Sequence, residues 1–221
     1  MPFKYLSYDL ETIPQPEETY TAAQKVQLEK KKAQFPNWTE NTIKGTDPFL
    51  GKIIAIGIYY KNEYHEGQTQ NIAIYGDDEK KLLEEFWEGI TSLSQGTKII
   101  TFNGFNFDIP WIRIRSLANN IEIPKTQVQF FNLNPFKGTP HIDLMAELKG
   151  DKYNRNISVG LALACETCGI PTPKDEIDGS KVYDAYLAGR LDDIAEYVKK
   201  DVVANGRLYE KLVNMNYYNG I

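Results

Sequence analysis

The chain has 221 residues, 42% hydrophobic and 12% aromatic, which is enough to bury a substantial core and excludes a disordered polymer. A formal charge of −5 weighs against a partner gripped through many phosphates, and no apolar run approaches the roughly 20 residues that a membrane span needs. The start, Met1-Pro2-Phe3-Lys4, lacks the apolar stretch of a signal peptide, and Cys165 and Cys168 alone make no disulfide framework, so a cytoplasmic protein is expected.

Residues 3–10 read as a strand. Residues 52–60 read as another, and the apolar run Ile53, Ile54, Ala55, Ile56 and Ile58 suggests cover on both faces. A short strand at 71–75 precedes a helix at 79–93 with Leu82, Leu83, Phe86 and Ile90 on one stripe. A strand at 98–102 leads to a helix at 109–118, with Pro110 in the first turn, where a missing N–H costs nothing. Residues 132–140 form a loop, and 141–148 begin an element of open type. Helices follow at 157–168, stopped by Gly169-Ile170-Pro171, at 180–187, stopped by Gly189, and at 191–213. This order predicts an α/β domain of three layers around a mixed central sheet. Residues 13–51 interrupt it. They are too long for a hairpin, carry a Lys-rich helix at 22–35, and are expected to be an insertion beside the site within one domain spanning 1–221.

Three segments carry the chemistry. Asp9 and Glu11 stand two apart at the end of the first strand and so share a face. Carboxylates so placed repel unless a cation lies between them, and Mg²⁺ prefers oxygen ligands of this kind. Alone the pair also fits a solvated edge, but Tyr8, Leu10 and Ile13 around it suggest a central strand. Asp108 closes the strand-to-helix turn 103–108, where a helix cap is the plainer reading and a backbone approach to a ligand the sharper one. Tyr197 and Asp201 are four apart on one helical face, flanking the stripe of Leu191, Ile194, Val198, Val202 and Leu212.

Together these segments resemble the three motifs of the DEDDy exonucleases, within the DnaQ-like, ribonuclease H-like superfamily. Asp9 and Glu11 match the first motif, Asn103, Phe107 and Asp108 the second, and Tyr197 and Asp201 the third. The likeness is strongest to the proofreading domain of family B DNA polymerases and its stand-alone relatives. It extends to Ile177-Asp178-Gly179-Ser180 and covers nearly all the chain outside 13–51. Val198 stands where relatives often have Cys. No polymerase module follows Asp201, so a free-standing nuclease or a subunit is expected.

The resemblance implies a ribonuclease H-like fold and 3′→5′ hydrolysis of single-stranded DNA, with nucleoside 5′-monophosphates as products. It implies two Mg²⁺ or Mn²⁺ ions held by Asp9, Glu11, Asp108 and Asp201, with Asp9 between them, and Tyr197 orienting the attacking water. Two such ions would bring the formal charge from −5 to about −1. Asn103, Phe105 and Phe107 are the candidate substrate contacts. Phe105 is the aromatic expected to be most exposed, although core packing is the commoner role for such rings. An RNA-processing exonuclease and an inactive nucleic-acid-binding domain are the alternatives, the latter disfavoured because all four carboxylates are present. Lys25 to Lys32 are a possible phosphate contact or a solvated helix face. The Cys165/Cys168 pair lies at a helix C-terminus, where the dipole disfavours thiolate. His141 and Asp143 are expected to be structural, because Tyr197 fills the place of the histidine in the sister DEDDh subclass.

Overall fold

Five strands form one sheet in the order β3-β2-β1-β4-β5 in the computed structural model, which describes residues 2–65, 68–125, 141–150, 159–172 and 177–217. β1 (Lys4–Pro14), β2 (Gly51–Asn62) and β3 (Gln68–Tyr75) form an antiparallel meander. β4 (Lys98–Thr101) and β5 (His141–Asp143) add to the other edge of β1 in parallel. The sheet is therefore mixed, with β1 at its centre. The apolar run of β2 is buried on both faces as its sequence requires, whereas the edge strand β3 is largely exposed.

Alternate residues of β1 divide between the layers. Leu6, Tyr8 and Leu10 join a core with α3 (Glu79–Thr91) and α4 (Asp108–Ala118), around Phe86, Trp87, Trp111 and Ile112. Tyr5 and Ile13 face the opposite layer, packed with residues of α6 (Leu161–Thr167), α7 (Val182–Leu187) and the long α8 (Leu191–Asn214). The expected loop at 132–140 and the expected helix start at 157 lie outside the described residues. The described α6 stops where Gly169 adopts φ 66°, a left-handed conformation that glycine takes without strain.

β1 runs further than the expected strand at 3–10. Thr12, Ile13 and Pro14 stay paired with Ile53, Lys52 and Gly51 beyond a register shift after Glu11. Asp9 and Glu11 thus lie inside a paired strand rather than at its end. Residues 15–50 carry α1 (Ala22–Gln34) and α2 (Glu40–Thr46), which share a small core of Tyr20, Leu28, Ile43 and Leu50. The segment is tied to the rest. Thr12 donates a hydrogen bond to the Gly45 carbonyl (2.6 Å), and Arg115 reaches the Pro48 carbonyl (3.3 Å). The Arg115 guanidinium also grips buried Glu79 at 2.6–3.1 Å, while Glu79 accepts the Ile53 N–H at 2.7 Å, so α3, α4 and β2 meet at one ion pair.

Candidate active site

β1 presents Asp9 and Glu11 to α8, because odd-numbered residues of this strand face that layer. Their neighbours across β2 are Gly57 and Ala55, and the small side chains let the helix come close. A Cβ at position 57 would lie 2.8 Å from the Val198 carbonyl oxygen. This approach brings Asp201 to the strand. One carboxylate oxygen each from Asp9, Glu11 and Asp201 lie within 4.8 Å of one another. The Tyr197 hydroxyl, one turn earlier on α8, donates to the Asp201 carboxylate.

Asp108 reaches the site from the opposite side of the sheet. It is the first residue of α4 and not its cap, which corrects the capping alternative. The capping position is Phe107, with no side-chain hydrogen bond. Asp108 is 1% exposed, and its Oδ1 has no hydrogen-bond partner among the described residues. It stands outside the group of three, yet its charge is the strongest carboxylate influence on Asp9.

Burial first, and then the charge of neighbouring carboxylates, which for Asp108 is that of Asp143, raise every one of these acids that shifts. Asp9 and Glu11 lie well above the usual carboxylate range, and Asp108 is pushed up to about 8 against the pull of the Leu10 N–H and its own. Tyr197 is also driven upward, by burial and by the Asp201 and Glu11 charges, so its phenol keeps its proton.

The turn before Asp108 is held by a residue that the sequence marked only as structural. Asp143, N-cap of α5 (Leu144–Lys149), accepts from the N–H groups of Asn103 and Phe105, both at 2.9 Å, and from Met145 and Ala146 at 3.0 and 3.3 Å. Gly104 is required here, since a Cβ would fall 2.0 Å from the Thr101 hydroxyl. That hydroxyl pairs with His141 Nε2 at 2.8 Å, so His141 and Asp143 both support the turn. An Asp or Asn at the start of a helix is the signal by which sequence could have assigned the cap. Its bond to the turn 40 residues earlier has no local signature.

The candidate substrate contacts are less open than expected. Asn103 adopts φ 64° and its side-chain carbonyl accepts from Asn106, which ties it into the turn. Phe105 is half-buried, with its ring 5.5 Å from His141, and Phe107 packs 5.7 Å from Trp111. The exposed residue of the turn is Asn106. In the Lys25 to Lys32 region, Lys31 and Lys32 pair with Asp47, Glu29 and Glu40 inside their own segment. Cys165 is fully buried and its thiol is raised to about 11, chiefly by burial, which suits a packing residue. A cleft of about 860 Å³ opens beside Tyr197 and Asp201, walled by Leu161, Ala162, Ile170 and Ile177.

A mixed sheet carries helices on both faces, and carboxylates from its central strand and its C-terminal helix converge, with a further buried one at a strand-to-helix turn, in an α/β fold of the ribonuclease H-like kind. Residues 47–217 match the model of a family described as "Predicted 3'-5' exonuclease related to the exonuclease domain of PolB", and the chain belongs to that family. No curated protein sequence matches it. Among solved structures it is similar to the family B DNA polymerase of the hyperthermophilic archaeon Pyrobaculum calidifontis, with a TM-score of 0.64 and 15% identity over 98% of this chain. It is also similar to a product-bound exonuclease I, with a TM-score of 0.53 and 11% identity over 97% of this chain. The chain spans 25% of the polymerase and 44% of exonuclease I, and at such identities the likeness is one of fold.

Proposed function

We propose that this protein is a metal-dependent exonuclease that releases nucleoside 5′-monophosphates from the 3′ end of single-stranded DNA. The observation that carries the reading is the convergence of Asp9, Glu11 and Asp201 within 4.8 Å, with the Tyr197 hydroxyl attached. Carboxylates packed this closely suit hard divalent cations. The unpaired, buried Oδ1 of Asp108 offers a further ligand atom of the same kind. On this reading Asp9, Glu11, Asp201 and Asp108 would together hold Mg²⁺ or Mn²⁺, two ions in the two-metal form of such sites. Such ions supply hydroxide near neutral pH and stabilise the leaving 3′-oxygen.

The protein's own groups do the positioning. Tyr197, which keeps its proton and donates it in a hydrogen bond to Asp201, would orient the attacking water by accepting from it through its oxygen. The cleft beside these two residues has the size of a small-ligand site, about 300–1,000 Å³, and its apolar wall would receive the terminal sugar and base. The segment expected as an insertion at 13–51 narrows to residues 15–50, between β1 and β2, and is read as an insertion in a single exonuclease domain spanning 1–221. DNA is favoured over RNA by the relation of the matched family to a DNA polymerase's exonuclease domain.

The test is digestion of a 5′-labelled DNA strand and its RNA counterpart. With Mg²⁺ or Mn²⁺ the DNA should shorten one nucleotide at a time, and excess chelator should stop it. Immediate release of the labelled 5′ mononucleotide, or full activity in chelator, contradicts the proposal. Faster digestion of the RNA would transfer the site to RNA processing.

A further inference from the structure

Ser7 and Asn205 are polar residues in the seam between β1 and α8, and both are fully buried at 0% exposure. Ser7 precedes Asp9 by two residues on the same face of β1. Asn205 follows Asp201 by four on one helical face. The registers place both beside Tyr59. Tyr59 is the β2 partner of Ser7, and a Cβ on Gly206, next to Asn205, would lie 3.0 Å from the Tyr59 ring. The Ser7 hydroxyl and both ends of the Asn205 amide have no hydrogen-bond partner among the described residues.

Native proteins rarely leave such groups unsatisfied, because an unpaired buried donor or acceptor keeps its full desolvation cost. Alanine or leucine would fill the seam without that cost. One water molecule makes about 2–4 hydrogen bonds when buried. An amide carbonyl, an amide NH₂ and a hydroxyl that either donates or accepts are a matching complement. We infer that Ser7 and Asn205 hold an internal water that braces Asp9 and Asp201 from behind, which makes Asn205 a positioning residue for the carboxylate cluster. Partners behind metal-binding side chains fix their orientation, and losing one typically weakens metal affinity by about 10–100-fold. The bracing role rests on the metal reading above, whereas the water itself does not.

The test combines a high-resolution crystal structure with Mn²⁺ titration by calorimetry, without nucleic acid. The structure should show a water within hydrogen-bond distance of Ser7 Oγ and the Asn205 amide. Asn205→Leu should expel it and weaken Mn²⁺ binding on the order of 10-fold, with the melting temperature of the metal-free protein kept or raised. Asn205→Ser, which keeps a hydroxyl, should recover part of the affinity. If Asn205→Leu does not fold, Ser7→Ala carries the same measurement. A direct Ser7–Asn205 hydrogen bond with no water overturns the inference, as does unchanged Mn²⁺ affinity in a folded Asn205→Leu protein. If the parent protein binds no Mn²⁺, the metal reading and the bracing role fall together, and the crystal structure alone decides the water.

Discussion

Tyr197 and Asp201 share one helical face and a hydrogen bond, and their chemistry separates them. Asp201→Ala removes one of three converging carboxylates. Mn²⁺ binding and cleavage should therefore fall together. Tyr197→Phe removes only the hydroxyl and leaves the ring packed against the apolar cluster that includes Ile177 and Val198. Metal binding should persist while the single-turnover rate drops, by about 10²-fold or less, since a positioned proton-handling group contributes on the order of 10²–10⁴-fold and this phenol only orients. A wild-type rate for Tyr197→Phe would make it a packing residue. Metal loss as severe as that of Asp201→Ala would make it part of the metal site. That Asp9, Glu11 and Asp201 converge could be anticipated from local patterns, i, i+2 on a strand and i, i+4 on a helix, only in combination, because each alone also fits a plainer reading. Asp143 was not legible in its main role, since two of the four N–H groups it accepts come from 38 and 40 residues away. Asp143→Ala should leave the Asn103 and Phe105 amides unsatisfied, destabilising the fold by about 2–4 kcal/mol. Denaturant unfolding checks this, and a loss under 0.5 kcal/mol would show that the turn holds itself.

Among the elements, the seam of β1, β2 and α8 sets the geometry of the site. Gly57 stands opposite Asp9, and a Cβ there would meet the Val198 carbonyl at 2.8 Å and its Cγ2 at 2.9 Å. Backbone has no rotamer with which to yield, so α8 must move. Gly57→Ala should cost about 1–3 kcal/mol, the usual range for overpacking. It should also weaken Mn²⁺ binding by drawing Asp201 from Asp9 and Glu11. Parallel melting and metal titration test the coupling, and a stable variant with parental metal affinity would show that helix and strand are not locked. The sequence revealed β2 through its apolar run but gave Gly57 no special standing, because a close approach depends on what packs above it. Strand ends were also misjudged. The acidic pair broke the apolar pattern of β1, whereas pairing with Gly51 to Ile53 carries the strand to Pro14.

For the whole molecule, the buried acids make stability depend on pH and metal together. Asp9, Glu11 and Asp108 have folded pKa values above those of ordinary carboxylates, Asp108 near 8, chiefly through burial. A group whose folded pKa is raised binds more protons in the native state, so native stability falls as pH rises. The strain is absent below about pH 4, where the unfolded carboxylates are also protonated, and it accumulates as pH rises toward 8. The metal-free protein should therefore melt at progressively lower temperature between these limits. Mg²⁺ should reverse the loss, and by more at pH 8 than at pH 5, because cations bind the ionised cluster and only the native state assembles it. Asp108→Asn removes one buried charge at nearly constant volume. It should flatten the metal-free pH profile and raise the melting temperature at pH 8, although it gives up a proposed ligand. Thermal melts at pH 5, 6.5 and 8, each with chelator and with Mg²⁺, decide the matter. If the metal-free melting temperature is constant or rises across this window, the four acids are not competing for a shared low-dielectric site, and a cation is not what holds them together.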